Sequence, residues 1–123
     1  MEIEVSIGEI VDKLSILKIK KNNISDDKKL ININKEYFYL YHKVFQELNV
    51  DELDFNTLYV VNEELWSIED KIRLKEKNKE FDDIFIDLAR SVYVTNDKRS
   101  EIKKVINKKY NSTFVEEKSY KPY

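Results

Sequence analysis

Apolar residues recur every three or four positions almost from one end of this chain to the other, the spacing of one face of an α-helix. Ser6-Ile7-Gly8-Glu9 reads as a capping box, with the serine hydroxyl accepting from an orphan amide of the first turn. The helix it opens carries Ile7, Ile10, Val11, Leu14 and Leu17 on one stripe and Val5, Ile16 and Ile19 on another. Apolar on two sides, it is expected at the centre of the fold. Ser25-Asp26-Asp27 supplies a cap and first-turn acids for a second helix, with Leu30, Ile33, Tyr37, Leu40, Val44 and Leu48 in register. A third is expected to carry Leu58, Val61, Leu65, Ile68 and Ile72 and to fray over Lys75–Lys79. The fourth is expected over residues 82–94 with Phe81, Ile84, Phe85, Leu88 and Val92 inward. Thr95-Asn96-Asp97 reads as a break and a fresh cap, opening a fifth, shorter helix with Ile102, Val105, Ile106 and Tyr110.

These spacings predict an all-α antiparallel helical bundle of about five helices over residues 1–111, with a short extended C-terminal tail, 112–123, docked on or near it. A chain of 123 residues fits one domain, and a single glycine and a single proline leave few helix breakers. Alternation at period two is confined to residues 2–6 and 113–116, so a β fold fits poorly.

Composition narrows the chemistry. Without cysteine there is no disulfide scaffold, thiolate nucleophile or cysteine-bound zinc. One glycine excludes Gly-rich phosphate loops, which need several backbone positions free of a Cβ. His42 is the only histidine and has no serine partner, which excludes a triad or a zinc site. A net charge of −2 argues against nucleic acid as a partner. No apolar run approaches the length of a membrane span, and the acidic N-terminus lacks the basic region of a signal peptide. The expected location is cytoplasmic.

Charge is segregated along the chain. Residues 45–70 hold eight acids and no cation, whereas residues 97–123 hold eight cations and four acids. Such a polarity suits pairing within the molecule or with a second copy, so a homo-oligomer or a protein partner is expected. Tyr37-Phe38-Tyr39-Leu40-Tyr41 places aromatics all round one turn, which reads as core plus a dimer contact. Lysine outnumbers arginine 19 to 3 and alanine occurs once, a skew that makes Arg73, Arg90 and Arg99 stand out. A guanidinium retained where lysine would serve as a plain cation marks a position needing planar, bidentate geometry.

Three places gather candidate ligand-binding residues. Glu9, Asp12 and Lys13 lie among the apolar stripes of the first helix, where carboxylates need partners; Arg73 and Arg90 are the expected ones. Asn62, Trp66, Glu69 and Arg73 follow one another by four, three and four along one edge of the third helix. Asn96, Asp97 and Arg99 mark the expected junction of helices four and five, with free amides suited to an anion. These residues describe either a polar pocket for an anionic or polar ligand or an ion network that fixes helix packing. As a site, the three places should converge. The expected role is a binding or accessory module without cofactor or resident metal.

The enzyme alternative is a magnesium-dependent, all-α nucleotide pyrophosphohydrolase. Its paired-carboxylate helices match only in fragments: Glu63-Glu64-Leu65-Trp66-Ser67 lacks a third glutamate, and Asp83 and Asp87 are spaced by four instead of three. An ion would have to be assembled from Glu64, Asp83 and Asp87.

Val5–Lys20, Leu65–Arg73, Leu88–Tyr93, Asn96–Arg99 and Val115–Tyr120 together resemble a family of small uncharacterised bacterial and phage proteins. Members sometimes accompany glycosyltransferase or surface-polysaccharide genes. The resemblance spans nearly the whole chain, implies a single helical domain and implies no reaction.

Overall fold

The computed structural model describes residues 1–123 and is all-helical, with four helices and no strand. Helix α1 covers Ile7–Asn23, α2 Asp27–Tyr41, α3 Glu52–Lys77 and α4 Asp83–Lys109. α2 runs on into a wider π-turn over His42–Glu47, a change of winding inside the expected second helix.

Each helix opens on an oxygen from the residue before it. The Ser6 hydroxyl accepts from the Glu9 amide at 3.2 Å and Asp26 from Lys29 at 3.0 Å. Asp51 accepts from Leu53 at 2.8 Å and Asp82 from Phe85 at 2.9 Å. These bonds satisfy amides that the helix itself leaves orphaned. At the other ends the chain turns through left-handed backbone at Asn49, Lys79 and Asn111, with φ of 53°, 54° and 54°. A chain with one glycine fills these turn positions with other residues, two of them asparagines, which tolerate the conformation best.

The fifth helix does not exist. α4 passes unbroken through Thr95-Asn96-Asp97, the site of the expected break. Thr95 is buried, Asn96 takes a long bond from Arg99 at 3.4 Å, and Asp97 takes the Tyr123 hydroxyl at 2.5 Å. Packing and side-chain partners thus hold helical a segment whose residues, met alone, favour a cap. Three expected inward residues, Phe81, Ile84 and Val105, are exposed.

α1 is central and packs against α2, α3, α4 and the π-turn. Its Val11 and Leu14 join Val44, Val50, Phe55, Leu58 and Ile106 in one core, flanked by Tyr37, Phe45 and Tyr59. α3 and α4 lie alongside each other and are pinned at both ends. Lys75 holds Glu80 and Asp82, each at 2.9 Å, while Lys109 meets Asp54 at 2.7 Å. No helix is long and apolar enough to cross a membrane.

Beyond Lys109 the chain has no regular structure and passes back along α4. Ser112 accepts from the Ile7 amide at 3.0 Å, Glu116 meets Lys103 at 3.2 Å, and Tyr123 stacks edge-on against Tyr93.

Candidate functional site

One turn into α1, Asp12 is 1% exposed. A lone carboxylate buried this deeply would be strongly destabilising, so its partners define the place. Arg99 on α4 supplies two parallel bonds, Nε to Oδ1 at 2.9 Å and Nη2 to Oδ2. Asn62 on α3 donates to Oδ1 at 2.9 Å and to the Ser15 hydroxyl at 2.7 Å; that hydroxyl donates to the Asp12 carbonyl at 2.7 Å. Lys103 approaches Asp12 at 4.0 Å, Glu9 at 2.8 Å and Glu116 at 3.2 Å. Polar groups from three helices are therefore paired beneath the surface, and the network is satisfied.

The electrostatics follow. Burial pulls the Lys103 pKa down, but Glu9, Asp12 and Glu116 outweigh it and hold the ammonium above its ordinary range. The bond to Asp12 raises the Arg99 pKa further, against the desolvation it suffers. Lys118 and Lys103 hold the Glu116 carboxyl below the usual range.

Gly8 lets α1 enter this place. Its amide donates to Asn107 Oδ1 at 2.7 Å. A Cβ here would stand 2.7 Å from the Lys103 carbonyl oxygen and 2.9 Å from Asn107 Oδ1, inside van der Waals contact.

In front of Asp12 lies an open groove of about 510 Å³, lined by Ile16 and Ile19 of α1, Asn62, Leu65, Trp66, Glu69, Asp70 and Arg73 of α3, and Arg99 of α4. The volume is that of a small-molecule site. Asn62 and Arg99 belong to both the groove and the buried cluster. Of five guanidinium N–H donors, three are engaged, with Asp12 and Asn96. The other two make no hydrogen bond within the chain.

The three sequence-predicted places do meet, through Asp12 of α1, the Asn62–Arg73 edge of α3, and Arg99 of α4. The individual assignments need correcting. Neither Arg73 nor Arg90 partners Asp12; Arg99 and Lys103 do. Arg73 meets Glu69 at 3.9 Å with its side chain 81% exposed, so it stands at the groove mouth. Arg90 lines a separate shallow groove with Glu64, Asp87 and Lys98. Lys13 points away and pairs with Glu36 of α2 at 3.7 Å. Asn96 and Asp97 offer no free amides, because they sit within α4 and head no helix.

Sequence reasoning misses Ser15, Lys103 and Asn107, although each falls in register with an apolar seam, beside Leu14, Ile102 and Ile106, where a polar residue is itself a signal. Glu64 and Asp87 share a groove that Asp83 does not line, and no three acidic or histidine side chains gather closely enough to hold a metal ion.

The fold and site define a small all-helical protein in which a buried aspartate–arginine pair backs an open groove. A family of unknown function, DUF6165, matches residues 1–123, and the chain belongs to it. No curated protein and no solved structure shows significant similarity to the chain.

Proposed function

We propose that this protein is a small binding module whose ligand seat is the groove between α1, α3 and α4. One observation carries the reading: Arg99 and Asn62 are fixed from behind by buried Asp12 and face the groove beside Trp66. Donors held in place before a ligand arrives lose little freedom on binding, the main advantage of a preorganised site. The lining sets the ligand chemistry. Trp66, Leu65 and Ile16 suit a flat or apolar body, Arg99 and Arg73 an anionic group, and Glu69 and Asp70 hydroxyl or amine donors. A phosphorylated sugar or nucleotide combines these features. The resemblance to proteins that sometimes accompany glycosyltransferase or surface-polysaccharide genes makes sugar nucleotides the first probes.

The supporting frame is read as an antiparallel bundle, since Asp54 meets Lys109 at one end and Lys75 meets Asp82 at the other. The proposal gives the module a cytoplasmic location and no cofactor.

Trp66 is the only tryptophan and lines the groove, so its emission reports on changes there. Titration with sugar nucleotides, nucleotides and inorganic phosphate should give a saturable change with at least one probe. That probe should also raise Tm, by mass action. Arg73→Ala, at an exposed position, should weaken the response without changing the fold. A flat emission curve and unmoved Tm with every probe would overturn the reading.

A further inference from the structure

α1 and α2 leave one face of the α3–α4 hairpin bare. Three grooves follow that face, and none contains a residue of α1 or α2. Down α4 their lining steps by three or four, through Ile84, Leu88, Ser91, Val94, Lys98, Ile102 and Val105. Leu74 lines the same face from α3. Leu74, Ile84 and Val105 are 58%, 59% and 61% exposed, and Val94 is exposed as well. Between Ile68 and Thr95 no residue is buried.

Charge on this face alternates by quadrant. Along α3 its grooves are lined by Asp54 and Glu64 and then by Lys71 and Lys75. Across the turn come Glu80 and Asp87, then Arg90 and Lys98, with Glu101 the exception. Quadrants thus run negative then positive along α3, and negative then positive along α4. Because the helices run in opposite directions, each quadrant lies beside one of opposite sign.

We propose that this face is a self-association surface, occupied by the same face of a second copy. Turning such a checkerboard by a two-fold axis lying in the interface brings every quadrant against its opposite. That holds whether the axis follows the hairpin or crosses it. The apolar residues of both copies then close one core between the hairpins, as in a four-helix bundle. The area is adequate: about 39 Å of helix, two helices or about 20 Å wide, offers roughly 800 Å² a side, which a standard interface uses. The rival surface is α2, with exposed Phe38 and Tyr39. There Lys21 lies 4.8 Å from the Phe38 ring and Lys43 5.8 Å from the Tyr39 ring, so a partner docking on either ring would have to desolvate a cation.

Sedimentation equilibrium on the full chain, from about 1 µM to about 1 mM, reads the result directly. The mass should rise from one chain to two. Ile84→Glu combined with Val94→Glu should hold it at one chain throughout, with helix content unchanged by circular dichroism, while Phe38→Glu should leave the dimer intact. A one-chain mass for the wild type across the range overturns the proposal. So does a dimer that survives the paired change in the seam, or one abolished by Phe38→Glu alone.

Discussion

Each face of the α3–α4 hairpin holds residues that break the usual rule of which go inside. Beneath α1 lie Asp12, Ser15 and Asn62, none more than 4% exposed. On the bare face Leu74, Ile84 and Val105 stand more than half exposed. Side-chain polarity alone does not decide burial here. What decides it is whether a partner is available: Asp12 has Arg99, Asn62 and Lys103, whereas Leu74 has no helix packed over it.

The contrast breaks most directly at Arg99. Arg99→Ala leaves Asp12 buried without its main counter-charge and should lower stability by about 3–5 kcal/mol in urea unfolding. Arg99→Lys should also be costly, since an ammonium cannot make the two parallel bonds, while Arg73→Lys and Arg90→Lys should leave stability unchanged. A loss under about 1 kcal/mol for Arg99→Ala would remove the physical basis of the comparison.

Next in size is Gly8→Ala. The added methyl meets the Lys103 carbonyl and should cost about 1–3 kcal/mol, read as a lower urea midpoint with unchanged slope. Lys79→Gly should act in the opposite sense and stabilise by about 1 kcal/mol, because φ is 54° there.

A smaller effect concerns acid. Lys118 and Lys103 hold the Glu116 carboxyl below its ordinary range, and Lys75 does the same for Asp82. Folded chains therefore bind fewer protons at these groups than unfolded ones. Their contribution is complete above the ordinary carboxylate pKa of about 4 and is lost as pH falls through the lower folded values. Melting curves between about pH 6 and pH 2 should show a shallower acid loss for Glu116→Gln than for the wild type. Smallest of all is Ile84→Ser on the bare face. At a concentration too low for self-association it should shift stability by under about 0.5 kcal/mol, and a large loss would mean that this face is not free.

Much of the helical frame was legible in the sequence. Ser6 and Asp26 cap where their spacing places them, because capping is a local bond between neighbours in sequence. α1 was expected to be central from its two apolar stripes, and it touches every other helix. The false break at Thr95-Asn96-Asp97 came from the same local logic applied where tertiary contacts win. Asp12 was recognisable as a buried carboxylate in need of a partner. Its partner was not, since which of Arg73, Arg90 and Arg99 reaches it depends on where α3 and α4 run relative to α1. An unbroken α4 carries Arg99 to Asp12; a helix broken at residue 96 would have pointed it elsewhere.

The anchorage of α1 also bears on the order in which the chain folds. Ile7, Gly8, Glu9 and Asp12 find their partners among residues 99–112, about ninety to a hundred positions away. Closing so long a loop costs about 4 kcal/mol of chain entropy before any contact is gained. α3 and α4, joined by a short turn, close at far less cost. During synthesis α1 is made ahead of α4 and completes its contacts last, and pulse-labelled hydrogen exchange should protect the α3–α4 amides ahead of those at the start of α1. Until α4 has left the ribosome, α1 can pack against α2 and α3, but its buried aspartate has no arginine.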